Sequence, residues 1–223
     1  MPNRHLSPLR GKNCRVNWIL GSRSPRRLEL LKAFDPTGEI QVLPPLSADE
    51  AGFDGLTQWA EISEQVLSIA RAKFLDVVGQ VEKLGLYPKA IVCADTTVVC
   101  ETSPEKWLAI GQPPVNDPDH QVLRTWLGRY LALRTHRVIT ACCLRTETGQ
   151  VHEGTAVTQV TFRPDVADWL DWYVSLNESQ GKAGGYAIQG VGSVLVERIE
   201  GSLSNVVGLP LELLAEWTGC CRK

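Results

Sequence analysis

Serines and arginines cluster where a short apolar run ends at a glycine and a helix is predicted to begin. Ser24 is a favoured helix N-cap, and Pro25 suits the first helical position because proline lacks an N–H that would have no partner there. The helix N-terminus carries partial positive charge, and Arg26 and Arg27 add full charges in the same turn. With Ser22 these residues predict an anion site, most simply for phosphate groups. The alternative at this point is an ordinary strand-to-helix turn with solvated arginines.

One carboxylate, Asp95, interrupts an apolar run at residues 90–100 that has the length and the β-branched residues of a buried strand. A charged group inside a buried strand is costly unless a cation, a metal ion or a hydrogen-bond network compensates it. An aspartate that caps the strand in a turn is the alternative, but the apolar Val98 and Val99 continue the strand beyond it. We therefore predict that Asp95 has a partner and a functional role.

A second polar segment, residues 181–190, contains four glycines, a lysine and a glutamine. Glycine lets the backbone approach a ligand closely. Lys182 can supply a mobile positive charge, and the amide of Gln189 can supply a hydrogen-bond donor and an acceptor together. The segment is too polar for a core element and too patterned for a flexible linker, so we predict a ligand-binding loop.

Helices and strands that could position these residues follow from the spacing of apolar side chains. Helical spacing predicts a first helix from Pro25, a long helix at 57–84, and further helices at 117–131, 166–174 and 205–217. Alternation predicts a β-hairpin of residues 135–145 and 151–162, and a strand is predicted at 192–199. Lys73 lies at the edge of the apolar stripe of the long helix, which by itself is an ordinary place for a surface lysine.

Composition restricts the class of protein. The chain has 223 residues, a formal net charge of −2 and a pI near 6.1, which argue against a general nucleic-acid or membrane-surface binder because such proteins need a broad positive field. No apolar stretch approaches the roughly 20 residues of a membrane span, and residues 1–14 read as a flexible polar leader without a signal-peptide core. The seven cysteines are odd in number and are expected to be reduced. We expect a soluble, intracellular protein with one domain over residues 15–223.

Five motifs occur in order along the chain, at residues 22–27, 94–96, 134–136, 182–190 and 204–210. Together they resemble the Maf (septum formation inhibitor) family, and the resemblance extends from residue 18 to the C-terminus. Members of that family look like nucleoside triphosphate pyrophosphatases, which release a nucleoside monophosphate and pyrophosphate with a divalent metal ion. The resemblance implies an α/β fold related to the inosine triphosphatases, with a mixed sheet flanked by helices and two lobes around a central cleft.

The resemblance also assigns individual residues of the site. Asp95 falls on the family's proton acceptor, Glu50 on the glutamate of its acidic loop and Lys73 on the lysine of its long helix. The three positions that look diagnostic of the subgroup acting on dTTP and UTP are occupied by Arg27, Thr96 and Gln189. The leading prediction is therefore a pyrophosphatase for dTTP, UTP and related or modified pyrimidine triphosphates.

The same residues make physical sense around a triphosphate, which carries about four negative charges. The cations expected to neutralise it are Arg26, Arg27, Lys73 and Lys182. Glu50 and Asp95 are expected to hold Mg²⁺ or Mn²⁺ through oxygen ligands. Asp95 is also the residue expected to take a proton from the attacking water, so a role as base and a role as metal ligand are both open.

Three residues depart from the family pattern. Gln112 stands where the family usually has a lysine, Gly181 replaces an aspartate, and Arg23 stands where a small residue is usual. The first departure removes a positive charge and the third adds one. If both positions face the same phosphates, we expect Arg23 to compensate for the missing lysine.

Two other functions are compatible with the sequence. One keeps the chemistry and changes the base to 7-methylguanine or an inosine-type base, and the other is a regulator of septum formation that binds nucleotide without turnover. The resemblance further implies a homodimer and a cytoplasmic location. We expect the partner to be a nucleoside triphosphate, with no stable nucleic-acid or membrane partner.

Overall fold

A computed structural model describes residues 17–47 and 51–220 of the chain. The predicted leader and the predicted metal ligand Glu50 lie outside the described residues. The strands in these ranges are β1 (Trp18–Leu20), β2 (Ile40–Val42), β3 (Ala90–Ser103), β4 (Lys106–Ile110), β5 (Thr135–Thr146), β6 (Val151–Phe162) and β7 (Val196–Glu200). The α-helices are α1 (Pro25–Phe34), α2 (Trp59–Lys83), α3 (Gln121–Thr125), α4 (Val166–Ser175), α5 (Leu203–Val207) and α6 (Leu211–Thr218). None of these helices is long and apolar enough to cross a membrane.

The seven strands form one mixed sheet in the order β2-β1-β3-β5-β6-β7, with β4 paired to β3. β1 is parallel to both β2 and β3, whereas β3–β4, β3–β5, β5–β6 and β6–β7 are antiparallel pairs. Helices cover both faces of the sheet. The structure confirms the predicted α/β fold with a mixed sheet flanked by helices.

Strand β3 is paired continuously on one edge and in two separate pieces on the other. β5 pairs with it from Ala90 to Val99. On the opposite edge, β1 pairs with β3 as far as Val92, and β4 pairs with β3 from Val98 onward. Within the described ranges, no strand pairs with residues 93–97 on that edge, so a gap opens in the sheet beside Asp95.

The two faces of the sheet are packed differently. The long helix α2 covers one face with a continuous stripe of apolar residues, including Val66, Phe74 and Val77. The other face carries two separate apolar clusters, one against α1 and α6 and one against α3 and α4. Between these two clusters lies a band of hydrogen-bonded polar side chains.

This polar band is centred on Asn205, whose side chain is fully buried. Its Nδ2 donates to the carbonyl of Val138 (3.0 Å) and to Oγ1 of Thr158 (2.8 Å). The main-chain carbonyl of Asn205 accepts from Oγ1 of Thr140 (3.1 Å), and that oxygen lies 2.9 Å from Oγ1 of Thr96. Buried polar groups are tolerated when hydrogen-bonded in this way, and the band ties α5 to the middle of the sheet.

Several predicted elements are confirmed. Helix α2 and strands β3, β5 and β6 match the long helix, the buried strand and the hairpin. Ser24 caps α1 by accepting a hydrogen bond from the N–H of Arg27 (3.4 Å), and Pro25 is the first helical residue. The five cysteines that the structure describes, Cys93, Cys100, Cys142, Cys143 and Cys220, are free thiols.

Three predicted elements are wrong in their continuity. The helix predicted at 117–131 is divided into a 3-10 turn (Pro118–His120), α3 and a π-helical turn (Trp126–Leu131). Left-handed φ angles of 55° at Asp119 and 54° at His120 separate the 3-10 turn from α3. The helix predicted at 205–217 is two helices, since Gly208 (φ 118°) and Pro210 interrupt it. The strand predicted at 192–199 begins only at Val196, after a 3-10 turn (Val191–Leu195).

The buried hydrogen bonds of Asn205 lead to a stability prediction. Asn205→Ala takes one donor from the buried carbonyl of Val138 and one from the hydroxyl of Thr158, which keeps the N–H of Ser202, so we expect the free energy of unfolding to fall by about 2–3 kcal/mol. Urea denaturation measures the change. Asn116→Ala, at an exposed position, is the control and should change stability by less than about 0.5 kcal/mol. An equally small effect of Asn205→Ala would show that the polar band does not stabilise the fold.

Candidate active site

The N-terminus of α1 faces the gap in the sheet, because the loop that precedes it leaves the end of β1. Oγ of Ser22 accepts a hydrogen bond from the N–H of Ser24 (3.1 Å), and this bond shapes the turn into the helix. Arg26 follows in the first helical turn and donates to the carbonyl of Gly181 in the glycine-rich loop (residues 181–190) at 3.3 Å. Burial and the neighbouring guanidinium of Arg27 lower the pKa of Arg26. The predicted anion-binding turn and the predicted loop therefore meet.

Asp95 has the partner that its burial predicted. Nζ of Lys73 lies 2.6 Å from Oδ1 of Asp95, and the two side chains are only 16% and 11% exposed. Side chains alternate along a strand, which directs Asp95 toward α2, the helix that carries Lys73. Removing one member of such a pair leaves a charge in a poorly hydrated place, so each residue depends on the other.

Arg27 is held by three acceptors from three parts of the chain. Its Nε donates to the carbonyl of Gly208 (2.7 Å), one terminal nitrogen to Oγ of Ser22 (3.2 Å) and the other to Oγ1 of Thr96 (3.0 Å). Thr96 follows Asp95 in β3 and therefore points to the opposite face of the sheet. Arg27 thus joins the loop after β1, the middle of β3 and the end of α5.

The glycine-rich loop brings its lysine and its glutamine to the same side of the molecule. Nζ of Lys182 donates to the carbonyls of Glu178 and Gln180, both just before the loop. Burial and then the positive charge of Arg26 lower the pKa of Lys182, whereas the carboxylate of Glu178 acts in the opposite direction. Gln189 is exposed near the other end of the loop.

Two adjoining cavities open between the α1 turn and the glycine-rich loop. The larger has a volume of about 600 Å³ and is lined by Ser22, Arg23 and Lys73, among others. The smaller has a volume of about 110 Å³, and its lining includes Thr96 and Gln189. Both are lined by Ser24, Arg26, Arg27, Gln112 and Lys182. All eight residues predicted to bind substrate therefore line a cavity, and Asp95 lies behind the wall of the larger one through its contact with Lys73.

Sequence reasoning missed the residues that hold these side chains in place. Gly208, Thr140 and Asn205 fix Arg27 and Thr96, and Glu178 contacts Lys182 through its carbonyl. The motif at residues 204–210 was visible, but nothing local to it indicated a contact with an arginine 181 positions earlier.

The donor set fits a metal ion that arrives with a nucleotide better than a metal ion in a preformed cage. Among residues 17–47 and 51–220, no three His, Cys, Asp or Glu side chains stand close enough together to hold a metal ion. Asp95 supplies one carboxylate, and Glu50 lies in the interval between the two described ranges. Mg²⁺ is commonly bound through one or two carboxylates together with substrate phosphates and water, and the carboxylate of Asp95 behind a cationic cavity matches that use.

Comparison with known proteins places the chain in a family. A family model described as Maf-like protein matches residues 17–218. A dTTP/UTP pyrophosphatase of Pyrococcus horikoshii is 36% identical over 90% of this chain and 94% of its own length, and one of Alcanivorax borkumensis is 40% identical over 89% and 93%. Among solved structures, a HAM1 protein of Coxiella burnetii matches with a TM-score of 0.42 and 14% identity, covering 92% of this chain and 98% of its own. The chain therefore belongs to the Maf-like protein family.

Proposed function

We propose that this protein is a nucleoside triphosphate pyrophosphatase that hydrolyses dTTP, UTP and related pyrimidine triphosphates. The observation that carries the proposal is the cationic double cavity beside the buried pair of Lys73 and Asp95. Hydrolysis adds one water across the bond between the α and β phosphates, gives a nucleoside monophosphate and pyrophosphate, and releases a proton. The names of the relatives support the choice of pyrimidine substrates.

The larger cavity is suited to the triphosphate. Arg26, Lys73 and Lys182 line it, and the N-terminus of α1 adds partial positive charge. Charged phosphate oxygens are stronger acceptors than the neutral carbonyls that Arg26 and Lys182 contact here, so a triphosphate can displace those contacts. The positive groups also stabilise the charge that develops on the leaving pyrophosphate.

Asp95 is the proposed proton acceptor. Its carboxylate is kept in place by Lys73, and its position in the gap of the sheet puts it next to the larger cavity. Asp95 and Glu50 are the residues proposed to hold Mg²⁺ or Mn²⁺ with the phosphates. When bound, such an ion polarises phosphoryl oxygens and lowers the pKa of nearby water.

The smaller cavity is suited to the base. Thr96 and Gln189 line it, and Arg27 fixes Thr96 through a hydrogen bond. The amide of Gln189 can pair with a pyrimidine edge that presents both a donor and an acceptor. The cytoplasmic location and the homodimer stay predictions from the sequence.

The first prediction tests turnover and the role of Asp95 together. With Mg²⁺, the wild type should release pyrophosphate from dTTP and UTP, and Asp95→Asn should lower kcat by about 100-fold or more, because an amide cannot take the proton. Asp54→Asn, at an exposed position, is the control and should keep wild-type kinetics. A thermal melt establishes that each variant is folded.

Other outcomes of that assay separate the alternatives. Retained kcat with a raised KM in Asp95→Asn would overturn its catalytic role. Turnover confined to 7-methyl-GTP or inosine triphosphate would point to the purine function. Binding of nucleotide without pyrophosphate release, with and without Mg²⁺, would point to a regulator.

The second prediction concerns the base. Gln189→Glu replaces an amide with a group that only accepts hydrogen bonds when ionised, so kcat/KM for UTP and dTTP should fall by about ten-fold. The value for 7-methyl-GTP should change less. Steady-state kinetics on the three nucleotides measure the difference. Equal losses on all three would mean that Gln189 shapes the loop and does not read the base.

The third prediction concerns the two departures from the family pattern. Arg23 and Gln112 both line the larger cavity, which supports their action on the same phosphates. Arg23→Ala should therefore lower kcat/KM by about ten-fold, and adding Gln112→Lys should restore much of the loss. A double-mutant cycle measures the coupling. A small effect of Arg23→Ala, or strictly additive effects, would refute compensation.

A further inference from the structure

The two ends of the glycine-rich loop are joined by the carboxylate of Glu178. Its Oε1 accepts a hydrogen bond from the N–H of Val191 (2.9 Å), and its Oε2 accepts one from the N–H of Gly192 (2.9 Å). Both donors lie just after the loop, whereas Glu178 lies just before it. The main-chain carbonyl of Glu178 also accepts from Nζ of Lys182. Glu178 therefore contacts the side chain of Lys182 near the start of the loop and the backbone that follows Gln189 at its end.

The packing around the carboxylate explains why glycine occupies position 190. A Cβ added to Gly190 would collide with the carboxylate of Glu178. The φ of Gly190 is −116°, which other residues adopt without strain, so the backbone angle does not require glycine. A side chain at position 190 would instead have to displace the carboxylate of Glu178. The glycine at position 190 thus leaves room for the carboxylate of Glu178.

Other contacts hold the middle of the loop, and one of the residues that make them, Tyr173, also interacts with the side chain of Glu178. The hydroxyl of Tyr173 in α4 donates to the carbonyl of Gly185 (3.1 Å). The hydroxyl of Tyr186 lies 2.8 Å from Nε2 of His136, and burial lowers the pKa of His136 to about 3, so the neutral ring can accept that hydrogen bond. Loss of the contacts of the Glu178 carboxylate should consequently release the C-terminal end of the loop, while the contact between Tyr186 and His136 keeps its middle in place.

We propose that Glu178 is a positioning residue that holds Lys182 and Gln189 toward the two cavities. The inference rests on the proposed function, in which Lys182 binds phosphate and Gln189 binds the base. Gln189 is two residues from Val191, so a shift of the Val191 N–H moves its side chain directly. The carboxylate accepts two charge-assisted hydrogen bonds. Together they fix both the distance and the direction of the backbone after the loop, which a single bond does not.

Two variants remove the contact by different routes. Glu178→Gln lacks the charge and presents an NH₂ group to one of the two N–H donors. Gly190→Ala leaves the carboxylate intact and fills its place with a methyl group. Glu147→Gln, in the exposed turn between β5 and β6, is the matched control.

The experiment measures kinetics and backbone exposure in the same proteins. Both variants should lower kcat/KM for UTP by about ten-fold or more, because misplaced binding groups no longer align the substrate. The preference for UTP over GTP should narrow by about three-fold or more. Hydrogen exchange should become faster in residues 188–194 and stay unchanged in β3 and α2. Glu147→Gln should match the wild type in every measurement.

The opposing results are equally distinct. Unchanged exchange at residues 188–194 in both variants would overturn the proposal whatever the kinetics. A lower KM for UTP in Glu178→Gln, together with unchanged kinetics in Gly190→Ala, would also overturn it. That pattern would mean that the carboxylate only balances the charges of Arg26 and Lys182. If the wild type releases no pyrophosphate from any triphosphate, the proposed function fails, and the exchange measurement alone still decides whether Glu178 holds the loop.

Discussion

The interrupted pairing of strand β3 is the constraint on which the site depends. A continuous partner on both edges would close the sheet beside residues 93–97 and leave no gap for a ligand. Because β1 ends at Leu20 and β4 first pairs at Val98, this short interval has a strand on one edge only, in the part of the chain that the structure describes. Asp95 and Thr96 lie in the interval as consecutive residues. They point to opposite faces, so one piece of backbone carries both the proposed proton acceptor and a residue of the smaller cavity.

A site that collects positive charge must hold that charge before its anion arrives, and this one uses two kinds of partner. Lys73 is paired with a carboxylate, and Arg27 is held by three acceptors. Arg26 and Lys182 contact main-chain carbonyls instead. Neutral carbonyls compete weakly with phosphate oxygens. Arg26 and Lys182 can therefore turn to a triphosphate without breaking an ion pair. Lys73 and Arg27 keep the geometry of the site.

What could be predicted from the sequence was local, and what could not depended on contacts between distant residues. The Ser24 cap and the buried strand around Asp95 follow from neighbouring residues, and both are confirmed. The pairing of Lys73 with Asp95 was not visible from the apolar stripe of its helix. The three-residue strand β2 and the five-residue β4 carry too few residues for a pattern. The roles of Gly208 and Glu178 were equally hidden, since their hydrogen-bond partners lie 181 and 13–14 positions away in the chain.

Arg27 and Thr96, which line the smaller cavity, are also part of the scaffold, as the direction of their hydrogen bonds shows. Arg27 can only donate, so Thr96 accepts from it. Thr140 donates its proton to the carbonyl of Asn205, which belongs to the last turn of α5 and has no partner within that short helix. The hydroxyl of Thr96 must then donate to Thr140. The chain of donors runs from Arg27 through the sheet to α5, so replacing Arg27 or Thr96 changes how α5 is held. Gln189 takes no part in this series of hydrogen bonds. Its side chain can therefore change while the docking of α5 stays the same.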